Sequence, residues 1–157
     1  MPEPIKRHQA LQPLSREHHH GLLLSWKINE GFRRKINPSR IEKYTNWFWE
    51  NHLQAHFEFE EQFIFPILGV ENQSVSQALR DHSRLRQLFS SPDKTGQRLA
   101  LIAEALVAHI RFEERILFKE IEQVASEKQL KGIENTHSIN VLEEWHDEFW
   151  VKEKEIK

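Results

Sequence analysis

The sequence has no cysteine. Disulfides, thiolate zinc or iron–sulfur sites and thiol nucleophiles are therefore excluded together, and any metal must be held by nitrogen and oxygen. Glycine is scarce, with five in 157 residues, so the elements between turns must be few and long. No apolar run reaches spanning or signal-peptide length, since the longest, Phe63 to Val70, is broken by Pro66 and Gly69. These absences predict a cytoplasmic protein with no membrane partner. Charge of one sign is missing too: 22 Lys and Arg stand against 24 Asp and Glu, for a formal charge of −2. No positive field is available to hold a polyphosphate backbone, which argues against nucleic acid as a partner. Against one Met and one Tyr, the chain carries ten Phe, five Trp and ten His. That is too aromatic for a disordered chain and predicts one folded domain over residues 1–157.

Apolar spacing gives the fold class. Ser15 offers an N-cap before a helical-period run through Leu22 and Trp26 toward Phe32, which Asn37-Pro38 stops. Ser39-Arg40-Ile41-Glu42 has the form of a capping box, and the pattern then runs to Leu68 before Gly69. A third helix follows Ser74-Val75-Ser76-Gln77 and continues through His82, Leu85 and Phe89 to Ser90-Ser91-Pro92. A fourth runs from Gly96 to about Ser126. With no period-two alternation and short connections, the expectation is all-α: an antiparallel, up-down-up-down four-helix bundle over about 11–126. A C-terminal helical tail over 127–157 is expected to include a helix from Ser138 to Trp150, with Val141, Leu142, Trp145, Phe149 and Trp150 packing across the bundle.

The chemistry lies in a repeat. His56-Phe-Glu-Phe-Glu60-Glu61 and His109-Ile-Arg-Phe-Glu113-Glu114 are both His-x-x-x-Glu, and at an offset of 53 the thirteen-residue windows from His56 and His109 agree at five positions. Residues four apart on a helix share a face, so each motif aims an imidazole and a carboxylate at one point. The flanking Phe63, Ile64, Ile67 and Ile116, Leu117, Ile121 set that face toward the core. Two buried His/Glu pairs require a compensating positive charge. No Lys or Arg is placed to give it, and a metal does so more naturally. His82 is the candidate from helix 3. Helix 1 offers His18, His19 and His20, which point about 100° apart. His19 is preferred because Leu22 and Trp26 at +3 and +7 match Leu85 and Phe89 after His82, with His18 as the alternative, since it has Gly21 at +3. Four imidazoles and two carboxylates crowd a single ion but suit two ions bridged by Glu60 and Glu113. Iron is favoured among ions that accept these donors, with zinc or manganese as alternatives. Trp47-Phe48-Trp49 reads as packing. Glu58, Glu61, Glu114 and Arg111 read as solvated face, with Glu61 a reserve ligand, and His8, His20, His52, His137 and His146 as surface or tail.

These motifs resemble the haemerythrin-like proteins with the HHE cation-binding domain. The resemblance rests on Glu17-His18-His19, His56 to Glu61 with Phe65-Pro66, Asp81-His82-x-x-Leu85, and His109 to Glu114 with Leu117-Phe118, and covers about residues 11–122. It implies an antiparallel four-helix bundle around an oxo- or hydroxo-bridged non-haem di-iron centre, with ligand roles falling on His19, His56, Glu60, His82, His109 and Glu113. Oxygen-carrying members place a further histidine one turn after the helix 3 ligand. Here that position is Arg86, which implies an open iron position for water, Glu61 or substrate. The function implied is engagement of O2, NO or peroxide by a metal-binding protein, in sensing, binding or stress handling. The alternatives are a di-iron enzyme turning over peroxide or nitric oxide, and a structural or interaction bundle without metal.

Overall fold

The computed structural model describes residues 6–93, 95–137 and 145–151. Among these there are five helices and no strand: α1 (Gln12–Arg33), α2 (38–68), α3 (Gln73–Ser90), α4 (96–124) and α5 (Glu127–Thr136). The first four form the four-helix bundle, and α1 packs on both α2 and α4. No helix among the described residues is long and apolar enough to cross a membrane.

The caps differ from those read in the sequence, because residues just upstream reach the free backbone N–H groups first. Asn37 caps α2 by accepting from Ser39 N–H, and Asn72 caps α3 by accepting from Val75 N–H. Glu42, freed from a capping box, pairs with Arg98 at 2.5 Å. α1 begins at Gln12, after the 3-10 turn Gln9–Leu11, and Ser15 donates to Glu114 instead of capping. The true capping box is at α5, where Ser126 and Gln129 satisfy each other's backbone N–H groups. α1 closes in a Schellman motif: Ile36 N–H reaches Gly31 O, Lys35 N–H reaches Phe32 O, and Lys35 takes a φ of 58°.

α2 and α4 are each interrupted by π turns, at Trp49–Leu53 and Glu60–Ile64 in α2 and at Glu113–Leu117 in α4. Two of them open on the glutamates of the repeat, whose carbonyls accept from Phe65 and Phe118, five residues on. Pro66 has no N–H to continue the α pattern after the first. The second forms with Lys119 at the corresponding position, so proline is not its cause. Each π turn adds a residue to the stripe, which is why Leu117 is buried while Ile116, expected on the core face, is exposed.

Two apolar clusters fill the bundle. One includes Leu24, Ile28, Tyr44, Phe57, Leu85 and Leu106. The other, around Leu11, Leu14, Ile64, Phe118 and Ile121, takes in Leu130 and Ile133 of α5. The expected Ser138–Trp150 helix lies partly outside the described residues, as do Val141 and Leu142. The described stretch 145–151 is not helical. Its Trp145, Phe149 and Trp150 nevertheless pack on Tyr44, with ring centroids 4.9–6.0 Å away.

Candidate metal centre

Between the two apolar clusters lies a layer of buried polar side chains: His18 from α1, His56 and Glu60 from α2, His82 from α3, and His109 and Glu113 from α4. His82 stacks on Phe57 at 3.8 Å and His18 on Phe118 at 5.2 Å, so one wall of the layer comes from each cluster. The Nε2 atoms face inward. His56 Nε2 is 3.2 Å and His82 Nε2 3.3 Å from Glu60 Oε1, His82 Nε2 is 3.5 Å from Glu113 Oε1, and His18 Nε2 is 3.7 and 3.6 Å from Glu60 and Glu113. His109 Nε2 contacts Glu113 Oε1. Two ligand groups result, Glu60/His82/His109/Glu113 and His18/His56/Glu60, each with its donor atoms within 4.8 Å of one another.

Of the six residues taken from the sequence as the ligand set, five meet here and His19 does not. His19 is exposed on α1 beside His20, while its neighbour His18 is 3% exposed and fills the place. The glycine three residues after His18 lies on the core-facing side: a Cβ on Gly21 would lie 2.7 Å from Ile110 Cδ1, so a larger residue there would make the end of the Ile110 side chain shift. Trp26, which favoured His19, is 52% exposed. His52 packs against Trp47 and Phe48, away from the layer.

Each of the four rings is held from behind by a carboxylate at Nδ1: His18 by Glu114 at 3.0 Å, His56 by Glu17 at 3.0 Å, His82 by Glu61 at 2.7 Å and His109 by Asp81 at 3.0 Å. Each carboxylate has a further partner. Ser15 donates to Glu114, His137 Nε2 lies 3.1 Å from Glu17, Arg86 donates to Glu61 at 2.7 and 3.0 Å, and Gln77 donates to Asp81 at 2.8 Å. Glu61 and Glu114 are thus not a solvated face, Glu61 lies outside both ligand groups, and Arg86 is engaged with Glu61. His137 is not a surface residue either, since its side chain is 7% exposed. A carboxylate on Nδ1 fixes the ring orientation and the tautomer that leaves an Nε2 lone pair for a cation. The signal for it was the acid before His18 and His82 and the second acid after each His-x-x-x-Glu.

Burial works against charge throughout this layer and is outweighed. The nearby charge of Glu60 and the hydrogen bond to Glu17 hold His56 well above the usual histidine range. Against its burial, the carboxylates of Glu113 and Glu60 at Nε2 and of Glu61 at Nδ1 push His82 to about 10, and the Glu113 charge with the Asp81 hydrogen bond pushes His109 to about 9. Burial raises Glu17 and Glu61, but hydrogen bonds from His137 and His56, and from His82 and Arg86, bring each down to about 2. The layer therefore demands positive charge.

All four Nε2 atoms and both oxygens of Glu60 and Glu113 are buried with no hydrogen-bond partner. They have only one another, as imidazole–carboxylate contacts, and buried groups of this kind are costly unless paired or coordinated. Nitrogen and carboxylate donors aimed at common points fit a cation, which satisfies them together.

The architecture and the layer define an all-α bundle protein with a buried imidazole/carboxylate cluster that could hold a cation. The hemerythrin HHE cation binding domain matches residues 8–121, and the chain belongs to that family. No curated protein and no solved structure matches the chain significantly.

Proposed function

We propose that the chain is a non-haem di-iron protein that engages O2, NO or peroxide at an open position of one iron. The observation that carries the reading is the set of eight unpartnered ligand atoms divided into two groups with Glu60 in common. His18, His56 and Glu60 would hold one ion, and Glu60, His82, His109 and Glu113 the other. Two irons would supply Lewis acidity and electrons to a small ligand.

The chain's own residues supply the rest. Glu17, Glu61, Asp81 and Glu114 keep the rings oriented by holding Nδ1, and the walls of Phe57, Phe65 and Phe118 limit water. A cleft of about 220 Å³ between α3 and α4, lined in part by Gln77, Asp81, Arg84 and Phe112, reaches His109. The cleft borders the Asp81 side of the His109 ring, whose Nε2 is buried beyond it. The same half of the centre has Arg86 one turn after His82, and this arginine is occupied with Glu61. Zinc and manganese accept the same donor types, so metal content is the first measurement. A purely structural bundle would bury this layer with only its own imidazole–carboxylate pairs, which a cation replaces at lower cost in buried charge.

Anaerobic loading with ferrous iron is expected to give about two irons per chain by elemental analysis. The Glu60→Ala/Glu113→Ala chain should lose them, and absorption spectra should change on adding O2, NO or peroxide. A folded wild-type chain that takes up no iron would overturn the reading. Repeated consumption of peroxide or nitric oxide, rather than a stable adduct, would identify an enzyme.

A further inference from the structure

α5 lies beyond residue 121, where the family match ends. It packs on the 3-10 turn Gln9–Leu11 through buried Leu130 and Ile133, and Gln9 donates to Glu134 at 2.8 Å. His137, the residue that ends it, turns inward. Its backbone N–H is bound to Ile133 O, its ring packs on Phe59 with centroids 4.5 Å apart, and Nε2 comes within 3.1 Å of Glu17 Oε1. The same oxygen is 3.0 Å from Nδ1 of His56. A continuous relay therefore leads from the end of α5 through Glu17 to the back of a ring whose Nε2 faces the candidate centre. The other three carboxylates behind the histidines take their partners from the bundle itself, at Ser15, Arg86 and Gln77. The carboxylate behind His56 is instead reached from α5, beyond the bundle.

We infer that His137 is a positioning residue of the metal centre: through Glu17 it fixes the His56 ring, and it thereby couples the docking of α5 to cation affinity at the His18/His56 position. The inference rests on the metal reading above. Partners behind a metal-ligating histidine typically matter about 10–100-fold in affinity, because they set ring orientation and ligand basicity. Coupling of this kind is reciprocal, so a cation at that position tightens α5 as much as α5 tightens the cation.

The test is an anaerobic titration of the full chain with ferrous iron against a competing chelator. In His137→Ala one of the two irons should bind about 10–100-fold more weakly while the other is unchanged. His137→Gln, whose amide can donate to the same oxygen, should recover most of the loss. The His137→Ala/Glu17→Gln pair should weaken that iron by less than the product of the two single effects, because both act through one contact. Hydrogen exchange of residues 127–137 should slow on iron loading in the wild type and not in His137→Ala. Melting of the iron-free variants separates folding from positioning: a role confined to docking α5 lowers the melting temperature and leaves both affinities alone. Two irons bound with unaltered affinity in His137→Ala would overturn this inference and leave the metal reading standing. A folded wild type that binds no iron would overturn both.

Discussion

At the residue scale, His18 and His19 present the sharpest contrast in the molecule. They are adjacent, identical in chemistry and about 100° apart around α1, yet one is 3% exposed with Nε2 facing Glu60 and Glu113, and the other is in solvent. The expected outcome is that His18→Ala lowers iron content by about one equivalent and His19→Ala does not change it, as read by elemental analysis of chains purified in parallel. Equal metal content in both variants would contradict the ligand set proposed above. Large apolar residues at +3 and +7 point to His19, yet it is His18 that is buried. Gly21 is on that buried face, close against Ile110, and an absent side chain leaves no hydrophobic signal.

At the element scale, two contacts decide how helices end and meet. Lys35 holds a left-handed φ of 58° at the Schellman position after α1, where a Cβ is disfavoured and glycine is the common solution. Lys35→Gly is expected to stabilise the chain by about 1 kcal/mol in urea denaturation at unchanged m-value. Arg98 of α4 acts in the opposite sense. Its side chain is buried, donates to Leu88 O and Phe89 O near the end of α3, and pairs with Glu42 of α2. Removing one partner of a buried pair leaves the other charge uncompensated, so Arg98→Ala should cost about 3–5 kcal/mol in the same assay. The Arg98→Ala/Glu42→Ala chain should lose less than the sum of the two singles. The helices themselves were legible because apolar period and breakers are local. Their caps and π turns were not, because Asn37 and Asn72 compete with the serines read as caps, and a one-residue insertion in the stripe is invisible to a 3.6-residue period.

At the scale of the whole molecule, the centre ties stability to protons and cations together. His82 and His109, held at about 10 and about 9 against an ordinary 6.5, keep protons in the folded metal-free chain that the unfolded chain has released. Their contribution is full below about pH 6.5 and is lost as pH rises through about 9 to 10. Glu17 and Glu61, held at about 2 against 4.5, contribute fully above about pH 4.5 and lose that contribution as pH falls through 2. Thermal melts of metal-free protein should therefore be highest near pH 5 to 6.5 and fall on both sides. Iron loading should raise the melting temperature and flatten the alkaline fall, because the cation displaces the protons whose loss causes it. An alkaline fall of the same size with and without iron would contradict that exchange.

The sequence by itself determined the helical class and the two His-x-x-x-Glu faces, because positions four apart on a helix are neighbours whatever surrounds them. It also excluded thiolate chemistry through the absence of cysteine. Only the tertiary structure decided that His18 faces inward, that Glu61 and Glu114 hold imidazoles rather than water, and that His137 returns to Glu17 from the far end of α5. Those facts depend on which helices approach closely and at what level. That is a property of packing between segments distant in the chain: local spacing marks the extra acids beside the motifs but not the imidazoles they meet.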